Sequence, residues 1–379
     1  MMATILVGMS GGVDSSVAAA LLVEAGHEVI GVSLQLYDHS AGGRLARCCS
    51  PEDFIDARRV AAALGIRYYV INKEEAFSRH VLDDFVAEYR RGRTPNPCVR
   101  CNSSVKFETL VRLARGLSAT AVATGHYARV FTDPATGRRS LLRACDRAKD
   151  QSYFLFNLTD EQVRLAMFPL GELSKQDVRL AARRLGLETA DKVESQDVCF
   201  VEGGDYREFL RRRLEESGER EAAGPIVDSR GKTLGLHQGL SRYTIGQRHG
   251  LGIAASRRLY VIARNPSGNE LVVGGPEELC CSEVALDETS YFGDAPCSPF
   301  EATVQVRHRD PGTRALVTPG RAGQAALRFI EPARGVAPGQ AAVFYSGDRL
   351  LGGGWIARGT QAILPRVARR APARAAVAK

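Results

Sequence analysis

A glycine- and serine-rich segment close to the amino terminus constrains the fold of this chain more than any other part of its sequence. The segment reads GMSGGVDSS over residues 8–16, after an apolar run at residues 4–7 and before a helix-like stretch at residues 15–24. Glycines let a backbone close around an anion, and a helix N terminus offers unpaired N–H groups and the positive end of a dipole. The segment therefore predicts a phosphate-binding loop between a strand and a helix, although a tight turn without a ligand would use the same residues. The residues predicted to bind nucleotide here are Gly8, Met9, Ser10, Gly11, Gly12, Val13, Asp14 and Ser15.

The first third of the chain predicts alternating strands and helices. Further strands are expected at residues 28–36, 67–71 and 121–124, with helices after Pro51 and at residues 105–113. Strands that alternate with helices indicate an α/β fold built on a parallel sheet. We expect this domain to occupy residues 1–205.

The remainder of the chain predicts two smaller domains and a tail. A helical run at residues 206–216 is followed by glycine-punctuated segments, which indicates a small central domain at residues 206–281. Short apolar runs separated by Gly, Pro and Asp then predict an antiparallel barrel or sandwich, and we expect a β-barrel at residues 282–362. The Ala- and Arg-rich residues 363–379 predict a disordered basic tail.

Composition narrows the cellular setting. No segment approaches the roughly 18 unbroken apolar residues of a membrane span, and the amino terminus lacks the basic region of an export signal. An odd count of nine cysteines argues for reduced thiols, so we expect a cytoplasmic protein with no membrane partner. The net charge of +8 suggests a polyanionic partner, although an ordinary basic surface gives the same charge.

Two cysteine-containing segments are candidates for chemistry. They are TPNPCVRCN at residues 94–102 and SQDVCF at residues 195–200. Structural cysteines usually lie in apolar strands or helices, whereas these lie among Pro, Asn, Arg and Asp, where we expect loops and accessible thiolates. Cys98, Cys101 and Cys199 are therefore candidate reactive thiols, with an inert role as the alternative. The cysteines without a predicted role are Cys48, Cys49, Cys145, Cys280, Cys281 and Cys297.

The glycine-rich loop is not a Walker loop, because the Lys-Ser/Thr ending is missing. Its SGGxDS pattern instead resembles the pyrophosphate loop of the ATP pyrophosphatases, which cleave ATP between the α and β phosphates and leave AMP on an acceptor oxygen. The resemblance implies an adenine nucleotide alpha-hydrolase-like fold, ATP as cofactor and Asp14 as a ligand of Mg²⁺. Adenylation makes a carbonyl oxygen part of a good leaving group, so the loop narrows the reaction to acceptor activation.

Seven strings occur in the order found in one family of such enzymes. They are SGGVDSS, TPNPCxxCN followed by VKF, ATGHYAR, DQSYFL, ESQDVCFV, YTIGQRHG and GGGWI. On these strings the chain, over about residues 1–360, resembles the bacterial tRNA-specific 2-thiouridylases of the MnmA type. The resemblance implies a tRNA uridine 2-sulfurtransferase that adenylates and 2-thiolates the wobble uridine (position 34), with release of AMP and pyrophosphate.

The same resemblance implies roles for individual residues. Cys199 would accept a persulfide sulfur from a cysteine desulfurase or a sulfur-relay protein, and Cys101 would resolve the intermediate as a Cys101–Cys199 disulfide. Leu34 would line the adenine pocket and Gly125 would touch ATP. The residues implied to contact the anticodon arm of the tRNA are Asn96, Pro97, Cys98, His126, Lys149, Asp150, Gln151, Arg307, His308 and Gln340.

Cys98 departs from the family pattern, in which many members carry Asp at this position. A thiol does not simply replace a carboxylate in acid–base chemistry. Together Cys98, Cys101 and Cys199 make a set of three thiolates that would alternatively hold a [4Fe–4S] cluster with one open iron, or a zinc ion. Two other functions stay open: an adenylating ligase with another acceptor, and a non-catalytic RNA-binding sensor of nucleotide or redox state.

Overall fold

The computed structural model describes residues 2–37, 50–193, 198–201 and 205–357. Its strands are β1 (Thr4–Gly8), β2 (Glu28–Gln35), β3 (Arg67–Asn72), β4 (Ala121–Thr124), β5 (Ala128–Thr132), β6 (Arg139–Arg143), β7 (Ala166–Met167), β8 (Gly224–Asp228), β9 (Thr233–His237), β10 (Tyr260–Asn265), β11 (Glu270–Gly274), β12 (Cys280–Tyr291), β13 (Phe300–Gln305), β14 (Thr313–Pro319), β15 (Ala325–Arg334), β16 (Ala341–Ser346) and β17 (Arg349–Ile356). Its α-helices are α1 (Val13–Glu24), α2 (Pro51–Ala63), α3 (Glu74–Phe77), α4 (Asp83–Arg90), α5 (Pro97–Cys101), α6 (Glu108–Gly116), α7 (Asp160–Leu165), α8 (Lys175–Arg184) and α9 (Tyr206–Glu216). Single turns of 3₁₀ helix lie at Ser152–Leu155, Glu188–Asp191, Leu240–Arg242 and Pro276–Leu279.

A five-stranded parallel sheet forms the centre of the first domain, as the sequence predicts. The strand order is β3-β2-β1-β4-β7, so β1 has β2 on one side and β4 on the other. Gly8, at the end of β1, lies in register with Val32 of β2 and with Thr124 of β4. The order of the strands reverses at β1, and open parallel sheets bind ligands in the crevice beyond the carboxyl ends of the strands at such a point.

Helices cover both faces of this sheet, because alternate residues of the buried strands point to opposite sides. Leu6 of β1 belongs to a core that includes residues of α3 to α6, whereas its neighbours Ile5 and Val7 belong to a core formed with α1, α2 and α8. Apolar residues in both directions are typical of a strand buried on both faces. The phosphate-loop helix α1 and the helices that carry the candidate thiols therefore lie on opposite faces of the sheet.

Two long helical segments on the thiol side are interrupted by π-helical turns. The first runs from α3 through Ser78–Leu82 into α4, and the second runs from α5 through Asn102–Phe107 into α6. The second begins at Pro97, whose missing N–H and fixed φ suit the first turn of a helix. The prediction that Cys98 and Cys101 lie in a loop is therefore wrong, since both belong to α5.

The central segment forms a small sheet and a helix. The sheet has the order β10-β11-β8-β9, with β11 and β8 parallel and the other pairs antiparallel. Helix α9 instead packs against the first domain, where the Phe209 ring lies 5.9 Å from Phe85 and 5.0 Å from Phe200. The helix therefore connects the central sheet to the core on the thiol side.

The last domain is the predicted antiparallel β-barrel. Six strands follow in the order β12-β15-β14-β13-β16-β17, and β12 also pairs with β17, which closes the barrel. The hairpin β5–β6 of the first domain joins the outside of β17 through Leu142 and Arg349. This shared sheet connects the first domain to the barrel. Cys48, Cys49, residues 194–197 and the predicted tail at 363–379 lie outside the described residues.

No helix among the described residues is both long and apolar enough to cross a membrane.

Candidate active site

A cavity at the reversal point of the parallel sheet contains the glycine-rich loop. Its lining combines the apolar side chains of Val32, Leu34 and Leu110 with the polar side chains of Ser10, Asp14 and Ser15, and Leu34 is 8% exposed. Apolar side chains suit an adenine ring, and a serine-rich loop at a helix N terminus suits phosphates. The cavity is lined by Gly8, Met9, Ser10, Asp14, Ser15, Val32, Leu34, Leu36, Lys106, Leu110, Thr124, Gly125, His126 and Gln151.

Two glycines allow the backbone around this cavity to pack closely. Gly11 has a φ of +73°, and a Cβ there would collide with the carbonyl oxygen of Asp53 at the start of α2. A Cβ on Gly125 would lie 2.6 Å from the backbone nitrogen of Ser15. Because backbone atoms cannot move aside as a flexible side chain does, both positions require glycine. Gly125 therefore lies directly against the phosphate loop, and its predicted contact with ATP stays a prediction.

Asp14 is held by two donors that come from distant parts of the chain. The Tyr127 hydroxyl donates to its Oδ1 at 2.8 Å, and Nζ of Lys175 donates to the same oxygen at 2.7 Å. The opposite side of the loop is held by Lys192, whose Nζ reaches the Gly11 carbonyl at 3.1 Å. Sequence reasoning missed both lysines, and the only local signal is that Lys175 follows a helix-capping serine while Lys192 precedes the ESQDVCFV string.

A second cavity contains the three candidate thiols and adjoins the first. Cys98, Cys101 and Cys199 all line it, so the structure brings together residues that are up to 101 positions apart. Cys98 is exposed, Cys101 is buried with 5% exposure, and Cys199 is intermediate. The residues that line both cavities are Leu36, Lys106, His126 and Gln151. Within residues 2–37, 50–193, 198–201 and 205–357, no three His, Cys, Asp or Glu side chains are placed to hold a metal ion.

His126 lies at the boundary between the two cavities. Its Nδ1 is 2.8 Å from the Thr124 hydroxyl, and its ring packs between Phe107 and Phe168 with centroid distances of 6.3 Å to each. Burial among these groups, and secondarily the charge of Lys106, lower the pKa of His126 to about 3. The imidazole is therefore neutral at physiological pH, so it offers a hydrogen bond rather than a positive charge to a nucleotide or a base.

The loop before α5 is held by both of the other domains. The side-chain amide of Gln340, from the barrel, donates to the carbonyl oxygens of Thr94 at 3.1 Å and Pro95 at 3.0 Å. Arg264, from the central sheet, donates through Nη2 to the Thr94 hydroxyl at 2.9 Å. Gln340 thus lies beside residues 96–98, which are predicted to contact tRNA and of which Asn96 is buried. Its predicted contact with tRNA stays a prediction.

The carboxylate of Asp150, in the segment predicted to bind tRNA, already makes hydrogen bonds and an ion pair within the protein. It is 8% exposed and accepts hydrogen bonds from the Ala144 backbone at 2.9 Å and the Ser152 hydroxyl at 2.9 Å. Arg143 approaches the same carboxylate at 3.2 Å. Through these contacts Asp150 stabilises the conformation of its own segment.

The neighbouring predicted residues surround a cleft between the first domain and the barrel. Gln151 exchanges hydrogen bonds with the backbone of Tyr127, with distances of 2.8 Å and 3.0 Å. Lys149 and His308 line the cleft, and the His308 ring packs 4.5 Å from Phe154. Arg307 is exposed next to it. Basic and aromatic groups around one cleft are suited to contact RNA phosphates and bases.

The first domain is a HUP-like parallel sheet with a glycine-rich, lysine-free loop at its reversal point and a thiol cavity beside that loop. Three family models match consecutive parts of the chain: the tRNA methyl transferase HUP domain at residues 3–203, the tRNA methyl transferase PRC-barrel domain at 207–275, and the aminomethyltransferase beta-barrel domain at 281–356. The chain belongs to the tRNA-specific 2-thiouridylase family.

Two relatives illustrate this membership. The tRNA-specific 2-thiouridylase MnmA of Geotalea uraniireducens is 49% identical over 357 residues, covering 93% of this chain and 94% of the relative. The protein of the same name from Geobacter metallireducens is 50% identical and covers 93% of this chain and 96% of its own. Among solved structures, a 4-thiouridine synthetase–RNA complex with bound ATP matches 56% of this chain and 51% of its own, with 15% identity and a TM-score of 0.34.

Proposed function

We propose that this protein is a tRNA uridine 2-sulfurtransferase that uses ATP to activate the wobble uridine and transfers sulfur to its C2. The observation that carries the proposal is the junction of the two cavities, which share Leu36, Lys106, His126 and Gln151. A uridine placed at this junction has the α-phosphate of ATP on one side and thiols on the other. Holding both reactants against one base supplies much of the rate enhancement.

The first proposed step is adenylation. The uridine O2 attacks the α-phosphorus, the bond between that phosphorus and the bridging oxygen breaks, and pyrophosphate leaves. Ser10, Ser15 and the N terminus of α1 surround the phosphates, and the neutral His126 orients the reacting groups without adding charge. The partly exposed carboxylate of Asp14 offers the kind of oxygen ligand that Mg²⁺ prefers. A bound Mg²⁺ would neutralise charge on the leaving pyrophosphate.

The second proposed step transfers sulfur. The outer sulfur of a persulfide on Cys199 attacks C2 and displaces AMP, which leaves a disulfide between Cys199 and the base. The Cys101 thiolate attacks the inner sulfur, releases 2-thiouridine and forms a Cys101–Cys199 disulfide, and an external dithiol then reduces that disulfide. The burial of Cys101 fits this order, because a resolving thiol must be kept from reacting before the intermediate forms.

We propose that the anticodon arm of the tRNA lies across the cleft between the first domain and the barrel. Lys149, His308 and Arg307 lie around this cleft, and the thiol cavity is bounded on the same side by Phe154, which contacts His308. The reaction requires a protein persulfide donor, a cysteine desulfurase or a sulfur-relay protein, and we place the reaction in the cytoplasm with its tRNA substrate.

The experiment for this function is thiolation of unmodified tRNA with ATP and a persulfide donor. Wild type is expected to form 2-thiouridine and one AMP per thiolated base, and Cys199→Ser is expected to form none. The matched control is Cys297→Ser, which changes an exposed cysteine on the barrel and should retain activity. AMP formation that does not depend on tRNA would favour a ligase with another acceptor, and the absence of any turnover would favour a binding protein.

The three cysteines in one cavity also bear on the alternative of an iron–sulfur cluster. In the described arrangement they are not placed to hold a metal together, so we derive no step from a cluster. Anaerobic purification with iron and sulfide analysis of wild type and Cys98→Ala decides between the two schemes. Iron that is lost in Cys98→Ala together with activity would replace the persulfide scheme, whereas full activity without iron would support it.

A further inference from the structure

Lys175 is a cationic residue beside the phosphate loop, and the steps proposed above assign it no role. It is the first residue of α8, its side chain is 13% exposed, and its Nζ lies 2.7 Å from Oδ1 of Asp14. The backbone N–H of Lys175 donates to Asp146 at 3.0 Å, which fixes where the side chain begins. The amine is therefore held at one place beside the loop.

The phosphate loop has no lysine of its own, which leaves the terminal phosphates of ATP without the cation that a Walker loop provides. Residues 8–16 contain no lysine, arginine or histidine, so the donors that they offer to a phosphate are hydroxyls and backbone N–H groups. Charge-assisted contacts to phosphate are about twice as strong as neutral ones. A cation from elsewhere in the fold would therefore add more to triphosphate binding than another loop hydroxyl.

The two faces of the sheet determine which phosphates Lys175 can reach. The thiols lie on the face covered by α3 to α6, whereas α8 packs with α1 on the other face, where Val178 and Ala182 are buried. In an in-line displacement the attacking oxygen and the leaving group lie on opposite sides of the α-phosphorus. The uridine approaches from the thiol side, so the leaving pyrophosphate lies on the side of Asp14 and Lys175.

We propose that Lys175 binds the β- and γ-phosphates of ATP and the pyrophosphate that leaves. The inference rests on the proposed function, because it assumes adenylation from ATP at this loop. Asp14 holds the amine in position, and the Tyr127 hydroxyl donates to the same carboxylate oxygen. Lys175 thus supplies from α8 the charge that the loop lacks.

Lys192, which also lies near the loop, has a different role. Its Nζ contacts Asp53 at 2.7 Å, Asp56 at 2.6 Å and the Gly11 carbonyl at 3.1 Å. Two carboxylates and a carbonyl neutralise this amine and attach the loop to α2. Loss of Lys192 is therefore expected to disturb the loop and to weaken the binding of every nucleotide. Loss of Lys175 is expected to weaken the binding of only those ligands that contain the terminal phosphates.

The experiment compares three probes by calorimetry on the full-length protein with Mg²⁺: α,β-methylene ATP, AMP and inorganic pyrophosphate. Lys175→Gln is expected to lower the affinities for α,β-methylene ATP and pyrophosphate by about 10- to 100-fold, while the affinity for AMP changes less than about twofold. The matched control is Arg184→Gln on the same helix, whose exposed pair with Glu24 lies away from the loop and whose loss should change none of the three.

Equal losses for AMP and α,β-methylene ATP, or no loss for either, would overturn the role of Lys175. If wild type bound none of the three probes, the proposed function itself would fail, and the two failures are thus distinguishable. If Lys175→Gln does not fold, acetylation of wild type decides: pyrophosphate should slow modification of Lys175 and AMP should not. Equal protection by both would count against the proposal.

Discussion

Single residues decide how closely the backbone packs around the nucleotide. Gly125 is the clearest case, because the space that a side chain would need is occupied by the Ser15 backbone nitrogen, 2.6 Å from an added Cβ. A side chain there would move the loop away from the end of β4. The string ATGHYAR indicates that the position matters, but only the packed structure shows the neighbour that requires glycine.

We therefore expect Gly125→Ala to lower ATP affinity at least about tenfold, which corresponds to about 1.4 kcal/mol of lost binding. The measurement is calorimetric titration with α,β-methylene ATP. Gly116→Ala is the control, since an added Cβ there has no heavy atom within 4 Å. Unchanged affinity in Gly125→Ala would mean that the loop shifts without loss of function.

A second residue-scale prediction concerns pH. The pKa of His126 falls from 6.5 to about 3 on folding, mainly through burial, so the unfolded chain binds a proton between these values that the folded chain does not. The contribution of His126 to folding stability is therefore fully present above pH 6.5 and decreases as the pH falls toward about 3. Urea unfolding of wild type and His126→Asn between about pH 5 and 7 should show a steeper loss in wild type. Equal slopes would contradict an imidazole that stays neutral in the folded chain.

At the scale of elements, the loop that leads into α5 depends on contacts from both other domains. Gln340 reaches two carbonyl oxygens of the loop from the barrel, and Arg264 reaches Thr94 from the central sheet. A loop held in this way presents Cys98 and Cys101 at fixed positions on the first turn of the helix. The barrel therefore also holds this loop in position, in addition to its proposed contact with tRNA.

We expect Gln340→Ala to reduce the free energy of unfolding by about 1–3 kcal/mol, since two hydrogen bonds are lost. Single-turnover thiolation should slow, while AMP affinity stays as in wild type because the loop lies outside the phosphate site. Gln324→Ala, an exposed barrel glutamine, serves as the control. A higher KM for tRNA with unchanged stability would instead support a direct tRNA contact at Gln340.

At the scale of the whole molecule, a buried arginine that is paired with Asp150 inside the first domain also contacts the barrel. Arg143, at the end of β6, contacts Asp150 at 3.2 Å and the Gln305 side chain of β13 at 2.9 Å, and its guanidinium lies 3.5 Å from the centroid of the Tyr345 ring. The side chains of Arg143 and Asp150 are only 14% and 7% exposed. Loss of one partner leaves a charge buried without compensation.

Arg143→Met should therefore destabilise the protein by about 3–5 kcal/mol and lower the melting temperature in scanning calorimetry. Arg138→Met is a matched control, because Arg138 comes from the same hairpin and pairs with Asp294 across the same two domains, but both groups are exposed. That variant should melt close to wild type. Similar shifts in both variants would show that burial of the Arg143 pair is not what stabilises the junction.

The fold class and much of the site follow from local sequence signals. Strand and helix periods predict the parallel sheet and an antiparallel barrel or sandwich, and the strings around residues 8–16 and 94–102 locate the candidate nucleotide loop and two candidate thiols. The helical position of Cys98 and Cys101 was not predicted, because the polar composition around them is typical of loops while Pro97 also starts a helix.

The sequence by itself determined the parallel sheet of the first domain, the antiparallel strands of the last one and the segments that are candidates for the phosphate loop and the thiols, because glycine, proline and apolar periodicity act over a few residues. Only the tertiary structure decided that Lys175 meets Asp14 across 161 positions, that Gln340 holds the loop at Thr94, and that Asp150 is paired with Arg143. These contacts join residues from different elements, and their partners are set by how sheets and helices pack, which no local pattern specifies.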